Sequence, residues 1–206
     1  MVALDSAARA PSHIRFSLSA VLIAGGLFGG ICAAAVPLSL LGHGYEGWLL
    51  ATRTTDEFAG LLLFIAFVSG PLARLFPHSF TAEQQLDRRR LSLGFAAAYA
   101  VYLLASTHAA TADGQRLAAP QLFSAAFQFC MLAVMIATSD LWPAMGNAIW
   151  RRMHIATLWF FWLAYTFAYI AHFTGPHIPD SSYGAGLAFL VAALFIRHAA
   201  ALKEVW

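Results

Sequence analysis

The stretch RRMHIATLWFFWLAYTFAYIAHF, Arg151–Phe173, decides the architecture. After its two arginines no Asp, Glu, Lys or Arg occurs as far as Phe173. About 20 predominantly apolar residues let an α-helix cross the ~30 Å hydrocarbon core of a bilayer. His154 and His172 both lie in this stretch. Their spacing corresponds to about five helical turns, so the two rings share a face and lie about 27 Å apart along the axis. One imidazole is expected near each membrane face, with Arg151 and Arg152 holding the start of the helix among the headgroups.

Ile155–Phe173 is one of six apolar stretches, the others being about Phe16–Leu41, Phe58–Phe76, Leu91–Ala109, Gln121–Ser139 and Tyr183–Ala201. Gly42-His43-Gly44, Pro77 to Arg90, Thr111 to Pro120, Asp140 to Asn147 and Gly175 to Ser182 punctuate them. With 60% hydrophobic residues, 11% charged and a mean hydropathy of +0.68, the chain reads as an integral membrane protein. The expected fold is all-α, a polytopic bundle of six transmembrane helices forming a single domain over residues 1–206. No dinucleotide-binding or phosphate-loop glycine motif occurs, and no inverted repeat of the transporter kind is visible.

Lysine and arginine set the orientation. If the N-terminus lies inside, the inner side collects Arg9, Arg15, Arg74, Arg88, Arg89, Arg90, Arg151, Arg152, Arg197 and Lys203. The outer side keeps only Arg53 and Arg116, which predicts an even number of crossings and cytoplasmic termini. The net charge of +2 thus reflects orientation, not nucleic-acid binding. Arg9, Arg15, an apolar run and Ala33-Ala34-Ala35 resemble a cleavable signal peptide, but the run is too long for one. Cys32 and Cys130 lie in different apolar segments with no C-x-x-C, so they read as packed thiols.

A second outer histidine, His108, follows Arg90 at the same spacing that separates His172 from His154. If Arg90 and His154 mark one membrane edge, His108 and His172 reach the same depth at the other. Two histidines at matched depth on neighbouring helices are what an axial pair for haem iron requires. Ser106, Thr107 and Thr174 are candidate acceptors for the second ring nitrogens, and the aromatic wall from Trp159 to Tyr169 is a candidate porphyrin packing surface. Such aromatics are also ordinary packing or interfacial anchors. The stripe of Tyr99, Tyr102, Tyr165 and Tyr169 reads either as packing or as an aid to electron or proton transfer.

Three blocks resemble a known family. Thr55 to Pro77 carries Gly60, Leu61–Leu63 and Pro71-Leu72-Ala73-Arg74; Asp87-Arg88-Arg89-Arg90-Leu91 opens an aromatic-rich helix; Thr138-Ser139, Gly146, Trp150 and His154 follow in order. Together they resemble the ferric reductase-like transmembrane domain, in particular the small bacterial haem-binding membrane subunits that serve a periplasmic methionine sulfoxide reductase. The resemblance covers about Thr55 to Phe173. It implies b-type haem between helices three and five and electron passage across a bacterial inner membrane. The family's outer ligand positions fall here on Phe167 and about Tyr102, so the usual pair is missing. His172 and His108 lie five and six residues further out, a shared shift of roughly 8–9 Å.

The expected site residues are therefore His108 and His172 as haem ligands, with His154, His78, Arg151, Arg152 and Tyr102 as further cofactor contacts. The arginines beside His154 suit haem propionates, a quinone head or a flavin phosphate. His78 reads also, and more simply, as a loop histidine, His13 and His198 as interfacial, His43 as a loop residue, and His177 with Asp180 as an outer docking or weak metal site. Asp56 and Glu57 are expected at the start of helix two, where a helix N-terminus favours anions. The scarcity of other acidic residues in the spans weighs against a proton-driven transporter or ion channel.

The leading expectation is a haem-b electron carrier of a larger oxidoreductase system. It would be fed by the quinone pool or a flavoprotein, and would serve a periplasmic or cytoplasmic redox partner. The alternatives are a cofactor-free membrane scaffold of the same fold, or a metal transporter lined by His108, His172 and His177.

Overall fold

A computed structural model describes residues 12–76, 79–112, 114, 118–139, 148–174 and 181–203. They form six helices: α1 Ser12–Leu41, α2 Tyr45–Leu75, α3 Ser79–Ala112, α4 Ala119–Thr138, α5 Ala148–Thr174 and α6 Ser181–Lys203. All six are long and apolar enough to cross a membrane. In lipid the backbone must satisfy its own hydrogen bonds, which is why every expected span is helical. Phe28, Phe123 and Phe195 expose 71%, 74% and 70% of their surface, as side chains facing acyl tails do.

The apolar windows of α2, α3 and α5 are 44%, 50% and 39% buried, whereas those of α1, α4 and α6 are each 17% buried. The first three therefore make the core and the other three flank it. α2 packs most extensively on α3, α1 lies across both, α6 covers α2 and α5, and α4 covers α5 and α3. Leu63, Phe67, Phe95 and Phe161 are wholly enclosed. Without a hydrophobic driving force between helices in lipid, close packing must hold the bundle. Gly26 on α1 shows how close: a Cβ there would overlap the carbonyl of Gly94 on α3. The α1–α2 connection is equally tight. Gly42 turns the chain at φ +77°, a conformation glycine adopts without steric cost, and donates its N–H to Leu38 O at 3.0 Å.

Two prolines sit inside helices, and each leaves a carbonyl four residues earlier without its partner. Pro37 does so at Ala33, where the Thr54 hydroxyl of α2 donates at 2.6 Å. Pro71 does so at Phe67, where Arg197 Nη1 of α6 donates at 3.3 Å. Neighbouring helices thus repair both breaks, as a membrane interior demands. Lys203 then donates to the last carbonyls of α2, Arg74 O at 3.4 Å and Leu75 O at 2.9 Å, placing a cation at a helix C-terminus.

α2 begins at Tyr45, several turns before the expected Phe58. Its early polar residues are accommodated in the helix: Arg53 pairs with Glu57 at 3.2 Å, and the Thr52 and Thr55 hydroxyls donate back to carbonyls one turn earlier. Asp56 and Glu57 consequently lie about 16 Å along the helix from Tyr45, not at its start.

Candidate functional site

One end of the bundle gathers the arginines. The C-terminal part of α2, the start of α5 and the end of α6 enclose a cavity of about 380 Å³ lined by Arg74, Arg151, Arg152, Arg197 and His154, among others. That volume falls within the range of small-molecule sites. Ala66, Gly70 and Ala200 keep the walls low, and Phe67, Ile155 and Leu158 make the deeper surface apolar. The cavity is thus cationic at the rim and greasy below. Arg197 is placed by more than its bond to Phe67 O. Its guanidinium lies 4.4 Å from the Phe67 ring centroid and 5.1 Å from that of Trp159, so stacking holds it flat against the core.

His154 is buried, and its Nδ1 lies 3.1 Å from Thr138 Oγ1 at the end of α4. The threonine hydroxyl has one proton, and the Val134 carbonyl at 2.7 Å takes it. Oγ1 therefore accepts from Nδ1–H, which fixes the ring plane and leaves the imidazole lone pair on Nε2. The next residue, Ser139, ties the same corner to α3 through Ser92 at 3.3 Å. The Thr138-Ser139 pair thus joins three helices around the base of His154.

The opposite end carries His43, His108 and His172, the last held apart from the other two. His108 is exposed and stacks on Trp48 of α2, centroids 4.7 Å apart; His43 tilts against the same indole at 6.3 Å. His172 is exposed and stacks on Tyr183 of α6 at 4.7 Å, with Arg53 of α2 5.5 Å above that ring. Trp48 and Arg53 are separated by about 140° around α2. The two imidazoles therefore sit on different flanks of that helix. Ser106 and Thr107 both donate to Leu103 O, and Thr174 donates to Ile170 O, so these hydroxyls serve their own helices.

Helices α3 and α5 do face each other, through rings. Phe161 meets Phe95 and Tyr99 at 5.1 Å each, and Tyr99 meets Tyr165 at 6.0 Å. Tyr102 leans on Tyr99 at 5.0 Å, and Tyr99 donates to Gln128 Oε1 at 2.9 Å. Phe167 is 67% exposed and points away from this seam. His78, His177, Asp180 and Gly146 lie outside the described residues. Among the described residues, no three of His, Cys, Asp and Glu gather as a group that could hold a metal ion.

Of the expected site residues, the structure brings together His154, Arg151 and Arg152. It adds Arg74 and Arg197, which the sequence marks as charges of the inner side, and Arg74 also as the end of a helix motif, but not as site residues. Their shared location was legible as a charge bias but not as a cavity, because the wall that closes it comes from Pro71 and Gly70 on a distant segment. Fold and site together define a class: a six-helix membrane bundle with a buried histidine in an arginine-rimmed cavity. No family model, curated protein or solved structure matches the chain.

Proposed function

We propose that this protein is a haem-b-binding membrane electron-transfer subunit whose cofactor site is the arginine-rimmed cavity around His154. The observation that carries this reading is the joint presence of a tautomer-fixed buried histidine and four arginines on one cavity of about 380 Å³. A haem has an apolar macrocycle, two propionates and an iron that takes an imidazole nitrogen. Phe67, Ile155 and Leu158 suit the first, Arg151, Arg152, Arg74 and Arg197 the second, and His154 Nε2 the third. When bound, haem would supply a one-electron carrier at this edge of the membrane. His78, shortly after Arg74 in sequence, is the candidate ligand from beyond the end of α2.

The basic end would face the cytoplasm of a bacterial inner membrane, with both termini there. Electrons from the quinone pool or a flavoprotein would leave towards a periplasmic acceptor. This keeps the family-like role while moving the haem from the outer pair His108 and His172 to the inner end. Reduced-minus-oxidised absorption of the purified protein tests it. A b-type difference spectrum lost in His154→Ala and kept in His108→Ala and His172→Ala supports the site. Loss with either outer histidine and persistence in His154→Ala would place the haem elsewhere.

One observation favours a second reading, a cofactor-free scaffold of the same fold: Tyr99, Phe161 and Tyr165 already fill the seam between α3 and α5. Folded, colourless protein after expression with excess haem would select it.

A further inference from the structure

α2 carries an acid where a membrane helix rarely has one. Asp56 is half-buried and lies about 16 Å along the helix from Tyr45, inside a span of 31 residues. It stands one turn before Gly60, where a Cβ would come within 3.0 Å of the Tyr165 ring and 3.1 Å of the Tyr169 hydroxyl. Residues one turn apart share a face, so the Asp56 side chain is directed to the same wall of α5. Tyr99 and Tyr102 of α3 lie close enough to feel its charge. α6 contributes Tyr183, 5.7 Å from Tyr169 and beneath Arg53 at 5.5 Å. α1 brings no acidic or basic side chain to this depth.

No salt bridge reaches Asp56 among the described residues. Arg53, one turn earlier on the same helix, is engaged by Glu57 Oε1 at 3.2 Å. A carboxylate without a cation is costly in an apolar span, and a carboxyl that keeps its proton avoids that cost. The hydrogen bonds at Tyr165 say where such a proton sits. Its hydroxyl has one proton, which the Asp56 backbone carbonyl takes at 3.2 Å. The Asp56 carboxyl meets the same hydroxyl. With its proton spent on the carbonyl, the phenol oxygen only accepts, so the carboxyl must be the donor.

We propose that Asp56 is a proton-binding site, a carboxyl that holds its proton against Tyr165 and exchanges it with water at the histidine-bearing end of the bundle. On release, the proton leaves past the exposed Glu57 and His172, and Tyr165 turns its own proton from the Asp56 carbonyl to the new carboxylate. The exchange moves one proton and no electron. Arg74 lies about 27 Å further along α2, so the site works with or without haem at the arginine end.

The test uses the full chain in lipid nanodiscs. Dicyclohexylcarbodiimide adds a protonated carboxyl across one of its C=N bonds, leaving a stable N-acylurea that peptide mass spectrometry locates. An ordinary aspartate is only about 0.1% protonated at neutral pH. Asp56 should nevertheless be labelled on the order of tenfold more than the exposed, arginine-paired Glu57, and the labelling should fall as the pH is raised. Infrared spectra should show the carbonyl stretch of a protonated carboxyl that Asp56→Asn removes. Tyr165→Phe should displace that band by taking away its acceptor. Equal labelling of the two acids, labelling indifferent to pH, or a band that survives Asp56→Asn would each overturn the proposal. A band unmoved in Tyr165→Phe would overturn it as well.

Discussion

Arg197 on α6 donates to the carbonyl oxygen of Phe67 on α2 across 3.3 Å, at the position Pro71 deprives of its helical donor. One side chain thus repairs a helix, stacks on two rings and rims the candidate cofactor cavity. Arg197→Met should lower the thermal unfolding midpoint in detergent by an amount equivalent to about 1–3 kcal/mol. Pro71→Ala restores an amide donor to Phe67 O and should recover part of that loss. Additive effects in the double-mutant cycle would show that the two residues do not share this carbonyl.

The same logic applies at the α1–α2 contact. Thr54→Val removes the donor to Ala33 O and should cost about 1 kcal/mol, read by unfolding in a mixed-detergent titration. In a Pro37→Ala background the cost should shrink, because Ala33 regains its own helical partner. An undiminished cost there would refute the repair.

Thr138 sets the His154 tautomer, so its removal should act on the cofactor, not only on the fold. Thr138→Val should weaken haem retention about 10–100-fold and shift the reduced absorption maximum, whereas Thr138→Ser should preserve both. Titration of haem into protein purified without it reads the affinity. Equal behaviour of the valine and serine variants would remove Thr138 from the site.

His108 and His172 are anchored by stacking on Trp48 and Tyr183. His108→Ala and His172→Ala should each destabilise by no more than about 0.5–1.5 kcal/mol and leave the haem content unchanged. Haem quantified per protein after pyridine extraction checks this. A halved haem content in either variant would return the outer pair to the centre of the mechanism.

Much of the architecture was readable from the letters. Each expected stretch coincides with a helix over its apolar core, because about 20 apolar residues leave the chain one way to satisfy its backbone in lipid. The sequence puts the start of α2 too late, since Glu46 and Arg53 look like a loop and Asp56 and Glu57 like a helix start until the Arg53–Glu57 pair is seen to lie one helical turn apart. At the candidate site, His154, Arg151 and Arg152 were visible through their spacing. Arg74 and Arg197 were not, because their approach depends on how α2 and α6 pack.

Length, hydropathy and charge act locally along the chain, so the letters alone yield six helices able to span a membrane, with the basic residues biased to one end. Which side chains meet depends on how the helices pack. Helical periodicity places His108 and His172 at equal depth, but depth says nothing about direction around the axis. Packing turned one onto Trp48 and the other onto Tyr183, and closed the cavity around His154 instead.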